Sequence, residues 1–237
     1  ERKTKAISAL SALGQRTKLL EPRIINNWII WLEQRPHERG RTTALIRPWG
    51  RTDIKPLELT PNPINLRTRV HIYGGSPLAA AYEKNELHIC WIDDSDGCLW
   101  SQCWRGIRNL KAENNFLLPS EDPLRLSLKG LDPLADGLID LSRNRWIGVM
   151  EISNQDLFVT FSLKDANQTP QILYEADDFA GYAVLSPDNN QLAWVEWQQP
   201  FMPWDSSQLW WGEFDHKGQI KSKNFVAGSD AHSKKQT

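Results

Sequence analysis

Residues 185–197, LSPDNNQLAWVEW, decide the fold class. The SPD turn at 186–188 has a preset geometry, because Pro fixes φ and Asp can bond its own backbone nearby. The stretch Gln191–Trp197 that follows has the alternation and aromatic content of a β-strand. A long polar turn, residues 198–207, then leads to a second strand-like stretch, Gln208–Phe214. The sequence therefore predicts a β-hairpin with a tryptophan-bearing first strand.

The same arrangement of strand, polar turn and strand recurs along the chain. The other paired stretches are Ile24–Leu32 with Thr42–Ile46, Leu87–Ile92 with Cys98–Trp104, and Arg145–Met150 with Leu157–Leu163. A supersecondary unit that recurs at roughly 40–60 residues is typical of a β-propeller blade. We therefore predict an all-β chain, a partial β-propeller of about four blades.

The chain divides by composition into an N-terminal segment, a propeller part at residues 21–228 and a polar tail at residues 229–237. Residues 1–20 are predicted to hold a short helix, because Ile7, Leu10 and Leu13 lie at helical spacing. Residues 105–135 are predicted to be a long polar connection. The blades are predicted near residues 21–60, 67–110, 132–175 and 180–228.

Composition excludes several classes of function. Lys and Arg number 28 and Asp and Glu number 29, and a net charge of −1 argues against a general binder of nucleic acid or anionic membranes. The apolar runs are only a few residues long, so no membrane span is expected. The first residues lack the apolar core that a signal peptide contains, so a cytoplasmic location is predicted. The sequence begins with Glu rather than Met, which suggests that the natural chain starts elsewhere.

The cysteines and histidines suggest no metal site. An odd number of cysteines, Cys90, Cys98 and Cys103, is typical of a reducing compartment with buried free thiols. The five histidines are scattered, so we predict neither a zinc site nor a cofactor. The stretch DDSDG at 93–97 resembles the start of a calcium loop, but Trp104 stands where the later Glu ligand belongs. A hairpin turn is the better interpretation.

No catalytic residue is predicted. The nearest match to a G-x-S-x-G nucleophile elbow, GGSPL at 74–78, has Leu in place of the last Gly, so Ser76 is interpreted as a turn residue. The sequence has no Walker A, G-x-G-x-x-G or H-E-x-x-H motif. The acidic pair Asp177-Asp178 is interpreted as a solvated turn, because adjacent strand residues point to opposite faces.

The 12 tryptophans are interpreted mainly as packing between blades. Pairs at odd spacing straddle a strand instead of lining one face of it; they are Trp28/Trp31, Trp194/Trp197 and Trp210/Trp211. Trp49 and Trp204 lie in predicted loops and stay open as binding residues.

Several stretches together resemble the bacterial acylaminoacyl-peptidase or dipeptidyl-aminopeptidase-like branch of the prolyl oligopeptidase family of serine peptidases. They follow the family order from about residue 7 to residue 230, and they are WLEQRPHERGR at 31–41, RTRVHIYGG at 67–75, SPDNNQLAWVEW at 186–197, PFMPWD at 200–205, QLW at 208–210 and VAG at 226–228. Three positions depart from the family pattern. Ile72 replaces a Glu, and Gln199 and Phe201 replace a His and an Asn.

The resemblance implies a propeller that caps a C-terminal α/β-hydrolase domain and limits access to small peptides. The hydrolase domain carries the catalytic Ser, Asp and His of the family, so no catalytic residue carries over to this chain. The implied partners are that hydrolase domain, absent from these 237 residues, and the peptide substrates of a parent enzyme.

Three hypotheses stay open. The chain is a substrate-gating propeller portion that is not hydrolytic alone, a stand-alone module that binds a peptide or protein, or a non-functional remnant of a truncated peptidase gene with exposed sheet edges. The candidate peptide contacts are Arg69, Tyr73, Trp204 and Asp205. Arg69 and Asp205 could each pair with one end of a peptide, while the rings supply apolar contact. The competing interpretation is structural: Asp205 caps a turn and Arg69 pairs within a blade.

Overall fold

The computed structural model describes residues 16–106 and 117–228, in which the regular secondary structure is β-strand apart from one 3-10 turn. The chain divides into two compact units, Glu1–Leu66 and Arg67–Thr237. Within the described ranges, the strands form four antiparallel sheets in which neighbours follow sequence order, except that the ninth strand pairs with the seventh. This meander is the topology of a propeller blade. No helix in the described part of the chain is long and apolar enough to cross a membrane.

The first unit holds one sheet. Its strands are β1 (Lys18–Ile25), β2 (Trp28–Arg35), β3 (Arg41–Pro48) and β4 (Leu57–Glu58). A 3-10 turn, Pro36–Glu38, joins β2 to β3.

Ion pairs hold the turn between β2 and β3. The guanidinium of Arg41 lies 2.5 Å from the carboxylate of Glu38 and 2.6 Å from that of Glu58. Arg35 bonds the same two carboxylates, each at 3.1 Å. Arg41 also donates to the carbonyl of Thr60 at 3.0 Å. The charged residues of the stretch 31–41 therefore fix a hairpin, which is a structural role.

The second unit holds three sheets. The second sheet of the chain contains β5 (Leu78–Glu83), β6 (Glu86–Ile92), β7 (Leu99–Gly106), β8 (Leu117–Pro119) and β9 (Leu124–Arg125), of which β8 and β9 both pair with β7. The third contains β10 (Leu134–Asp140), β11 (Arg145–Ile152), β12 (Gln155–Ser162) and β13 (Gln171–Glu175). The fourth contains β14 (Phe179–Leu185), β15 (Gln191–Trp197), β16 (Gln208–Glu213) and β17 (Asn224–Gly228).

The third sheet is buried on both faces. One face packs Trp146 and Met150 with residues of the second sheet in a single apolar cluster. The other face packs Ile147 and Phe158 with residues of the fourth sheet, including the fully buried Trp194. Large tryptophan rings between sheets are what the sequence predicts.

The all-β fold and the four hairpins are confirmed, with two corrections. Ile24–Leu32 is not one strand, because a turn at 26–27 separates β1 from β2, and Asn26 has φ of 52°. Asn adopts this left-handed conformation at low cost. The predicted connection at 105–135 also contains strands, since β8, β9 and the start of β10 lie in it.

The predicted N-terminal helix is not supported. Residues 1–15, including Ile7, Leu10 and Leu13, lie outside the described residues. The end of the segment that is described, Lys18–Leu20, belongs to β1, so it is strand rather than helix. The predicted polar tail, residues 229–237, also lies outside the described residues.

Candidate functional site

The candidate site is centred on residues 67–76, RTRVHIYGGS, which we call the 67–76 loop. Its backbone turns back on itself, since the amide of Gly74 donates to the carbonyl of Val70 at 2.8 Å and that of Ile72 to the carbonyl of Arg69 at 3.1 Å. His71 and Ile72 both have positive φ, 51° and 66°. For a β-branched residue such as Ile this conformation is strained, and strain of this kind persists only where the surroundings impose it.

Hydrogen bonds to the third sheet hold both ends of the loop. The hydroxyl of Thr68 donates to the carbonyl of Leu134. The amide of Ser76 donates to the carboxylate of Asp136 at 2.7 Å. Ser76 Oγ donates to the carbonyl of Leu78 at 3.1 Å, so its hydroxyl makes a local hydrogen bond to the backbone at the start of β5.

His71 anchors the middle of the loop. Its Nε2 lies 3.1 Å from the carboxylate of the fully buried Asp156, and its backbone amide donates to Glu151 at 2.6 Å. Asp156 also accepts a hydrogen bond from the amide of Ala180 at 2.9 Å. The hydrogen bond that the His71 ring donates to Asp156 outweighs burial and, with the charges of Asp156 and Glu151, raises the pKa of His71. The carboxylates therefore favour the imidazolium form.

This anchoring presents two apolar side chains to solvent. Ile72 is 94% exposed and Tyr73 is 93% exposed. The backbone that carries them is nevertheless fixed from both sides by hydrogen bonds. A fixed backbone that carries exposed side chains offers contact area without the cost of ordering the loop on binding.

A second loop, residues 198–206, carries the other predicted contacts. The carboxylate of Asp178 accepts from the amide of Gln199 at 3.0 Å, and that of Asp177 accepts from the side chain of Gln198 at 3.2 Å. The acidic pair, interpreted from sequence as a solvated turn, therefore holds this loop in place. Trp204, near the end of the loop, is 76% exposed.

Both loops contact the start of β14. The ring of His71 meets the ring of Phe179 edge-on, with centroids 5.0 Å apart. Phe179 also stacks on Trp197, the residue before the 198–206 loop, at 5.7 Å. Asp178, which holds that loop, immediately precedes Phe179. Residues 178–179 thus join the two loops, and we call these loops together the candidate peptide-contact surface.

The predicted contacts Arg69 and Asp205 make structural bonds. Arg69 is 71% exposed at its side chain and bonds Asp94 at 3.0 Å. Arg69 and Asp94 also line a cleft of about 370 Å³ beside the 67–76 loop. The carboxylate of Asp205 accepts from the amide of Met202 at 3.1 Å, which caps a turn. Arg69 and Tyr73 lie on the first loop, and Trp204 and Asp205 lie on the second.

The sequence gives no signal for the anchors of this surface. Asp156 lies 85 residues beyond His71, near the start of β12 and just after a hairpin turn whose polar residues resemble those of any other turn. Its contact with His71 depends on how the third sheet packs against the loop, and no local pattern encodes that packing.

No protein-family model matches the chain, and no curated protein matches it. Among solved structures, a puromycin-hydrolysing peptidase of Mycobacterium tuberculosis is 25% identical with a TM-score of 0.77, and the match covers 95% of this chain. A puromycin hydrolase is 20% identical with a TM-score of 0.73 over the same share of the chain.

The chain is similar to the N-terminal propeller part of prolyl oligopeptidase-family peptidases. It spans only about a third of the length of these peptidases, 33% of the first and 35% of the second. A nidogen/laminin complex also contains a chain of similar fold, with a TM-score of 0.52 and 11% identity. That last likeness concerns the fold alone.

The thiols of this propeller chain are distributed unevenly. Cys90 and Cys98 are buried, as the sequence predicts, whereas Cys103 is only partly buried. Cys103 lies opposite His88 across the pairing of β6 with β7. Glu86 completes a group of three whose ligand atoms lie within 4.8 Å of one another. The spacing of residues in the sequence does not reveal this group, because Cys103 is brought beside His88 by the register of β6 with β7.

Proposed function

We propose that this chain is the substrate-gating propeller portion of a prolyl oligopeptidase-type serine peptidase and does not hydrolyse peptides on its own. The four-blade fold and the similarity to puromycin-hydrolysing peptidases over 95% of the chain support this proposal. The 237 residues contain no G-x-S-x-G motif that could supply a nucleophile. Propellers suit gating, since loops on one face of a propeller converge on a central channel.

The observation that carries the proposal is the fixed presentation of Ile72 and Tyr73. Their loop is bonded to Glu151 and Asp156 through His71, so the backbone that carries the two side chains is fixed while the side chains remain exposed. Ile72 replaces the Glu of the family motif, so this position offers apolar contact instead of charge. We infer that the surface contacts an apolar part of a small peptide.

A second candidate function is a stand-alone module that binds a peptide or protein. The exposure of both Tyr73 and Trp204 on loops joined at residues 178–179 favours it. The two candidates differ in one requirement, because gating needs a hydrolase domain and binding does not. We also propose a cytoplasmic location, which the free thiols support.

The first experiment is to sequence the gene beyond the codon for Thr237 in all three frames. An in-frame G-x-S-x-G with later Asp and His codons is the result expected for a gating propeller. The same motif only out of frame would identify a decayed peptidase gene and overturn gating. Complete absence of the motif would also overturn gating and would favour the binding module. The 237-residue chain itself should hydrolyse no peptide, and hydrolysis by it would contradict the proposal.

The second experiment tests gating in the complete open reading frame. Tyr73→Ala should raise the KM for a short peptide substrate with little change in kcat, because the proposal has Tyr73 contact the peptide and not the reacting bond. Trp49→Ala is the matched control, because Trp49 is also an exposed aromatic, at 57%, but lies outside the candidate surface. Equal kinetics for the Tyr73 variant and wild type would remove this surface from the mechanism.

A further inference from the structure

Glu86, His88 and Cys103 bring a carboxylate, an imidazole and a thiol to one face of the second sheet. Glu86 and His88 are two residues apart on β6, so their side chains point to the same side. Cys103 on β7 is the direct cross-strand partner of His88. Directly opposed residues have Cβ atoms only about 4.5–5.5 Å apart, so this register sets the cluster.

The distances suit a small cation. The ligand atoms of the three side chains all lie within 4.8 Å of one another, and His88 Nε2 is 3.8 Å from Glu86 Oε2. Zinc bonds of about 2.0–2.3 Å to N, O and S place tetrahedral ligands roughly 3.3–3.8 Å apart. Small rotations of the side chains would close the remaining difference.

Arg105 leaves one oxygen of Glu86 available. The guanidinium bonds Oε1 at 2.8 Å, while Oε2 is the oxygen near His88. The arginine therefore orients the carboxylate in the way that outer partners orient ligands in metal sites.

Local charge also favours a cation. The carboxylate of Glu86 faces the site with one oxygen, and the Arg105 guanidinium bonded to its other oxygen offsets only part of the local negative charge. Negative charges at Glu83 and Glu121 act on His88 and Cys103, respectively.

We infer that Glu86, His88 and Cys103 form a zinc site in which water fills the fourth position. A thiol with an imidazole selects a borderline-soft cation such as Zn²⁺ over Mg²⁺ or Ca²⁺. On binding, the S–H bond of Cys103 breaks, a Zn–S bond forms, and the proton passes to solvent.

Cobalt binding to the 237-residue chain tests the site. Co²⁺ should produce a thiolate-to-cobalt charge-transfer band in the near ultraviolet, and Zn²⁺ should abolish it. The band should be lost in Cys103→Ser. Loss of a residue that only hydrogen-bonds a metal ligand costs about 10–100-fold in metal affinity. His88 is proposed as a direct ligand, so His88→Ala should weaken Zn²⁺ binding by at least about 10-fold. Absence of the band in wild type, or its persistence in Cys103→Ser, would overturn the site.

A matched control separates this site from adventitious binding. His37 lies 3.5 Å from Glu38 in the same kind of His–Glu pair, with its side chain 62% exposed. His37→Ala should leave Zn²⁺ affinity unchanged, and a loss equal to that of His88→Ala would contradict the assignment. If Cys103→Ser does not fold, alkylation of Cys103 in wild type replaces it as the readout. Zn²⁺ should slow that alkylation, and an unchanged rate would overturn the site.

Discussion

At the scale of single residues, Asp156 joins segments that are distant in sequence. Its buried carboxylate bonds the ring of His71 and the amide of Ala180. Removing one partner of a fully buried ion pair costs about 3–5 kcal/mol. The His71 side chain is about a quarter exposed, so the cost here is lower. We expect Asp156→Ala to lower the free energy of unfolding by about 2–3 kcal/mol. Urea denaturation measures this loss. Arg69→Ala, which removes an exposed ion pair, should cost at most about 1 kcal/mol, and equal losses would contradict the role of Asp156.

The raised pKa of His71 predicts how stability depends on pH. A group whose pKa is higher in the folded state stabilises it fully below the unfolded pKa, which is near 6.5 for His. This contribution is lost as pH rises through the folded pKa. The difference in unfolding free energy between wild type and His71→Gln should therefore shrink as pH rises from about 6 to about 8. A difference that is constant or grows over this range would contradict the anchoring of the imidazolium.

At the scale of strands, Trp146 in β11 depends on a glycine two positions later. Strand residues at this spacing face the same side, and a Cβ built at Gly148 would lie only 2.2 Å from the Trp146 ring. We expect Gly148→Ala to cost about 1–3 kcal/mol, measured by urea denaturation with tryptophan fluorescence.

Gly181 in β14 provides the matched control for this prediction. A Cβ there would meet Trp197 at 3.5 Å, which is ordinary contact. Gly181→Ala should therefore leave stability unchanged or raise it by up to about 1 kcal/mol. A larger loss for Gly181→Ala than for Gly148→Ala would show that the close approach to Trp146 is not the cause.

The central hairpins could be predicted from sequence because their strands alternate in polarity and their turns are rich in Pro, Gly, Asn and Asp. The first strands of three sheets carry a less visible feature. Each shifts register at a residue with positive φ, and these residues are Glu21, Asp136 and Tyr182. None is glycine, so the bulges have no sequence signal. The short outer strands β4, β8 and β9 were missed because two or three residues show no periodicity.

The candidate peptide-contact surface was only partly predictable. The motif at 67–75 marked Arg69 and Tyr73, and the loop after β15 marked Trp204 and Asp205. Their anchors depend on packing between sheets. The same limit hid the group at Glu86, since its nearest thiol lies on the neighbouring strand. Contacts that depend on packing between distant segments leave no pattern in the local spacing of residues.

At the scale of the whole molecule, the fourth sheet differs from the third in the burial of its faces. One face packs Leu192 and Trp194 into the core of the second unit. The other face is also apolar: Val184 is 58% exposed, Leu209 is partly exposed, and register places Val184 beside Ala193 and Trp211. A propeller blade normally buries both faces against neighbours. Exposed apolar surface of this kind promotes association.

We therefore expect the 237-residue chain to self-associate as its concentration rises, measured by light scattering coupled to size-exclusion chromatography. The double change Val184→Lys with Leu209→Lys should shift the population toward monomer, because charge on this face opposes contact. Trp49→Lys, which alters an exposed aromatic residue of the first unit, should not produce that shift. A wild-type chain that stays monomeric at every concentration and unfolds cooperatively would contradict this prediction. That outcome would also weigh against the remnant hypothesis, since a fragment with an uncovered blade face would then fold stably by itself.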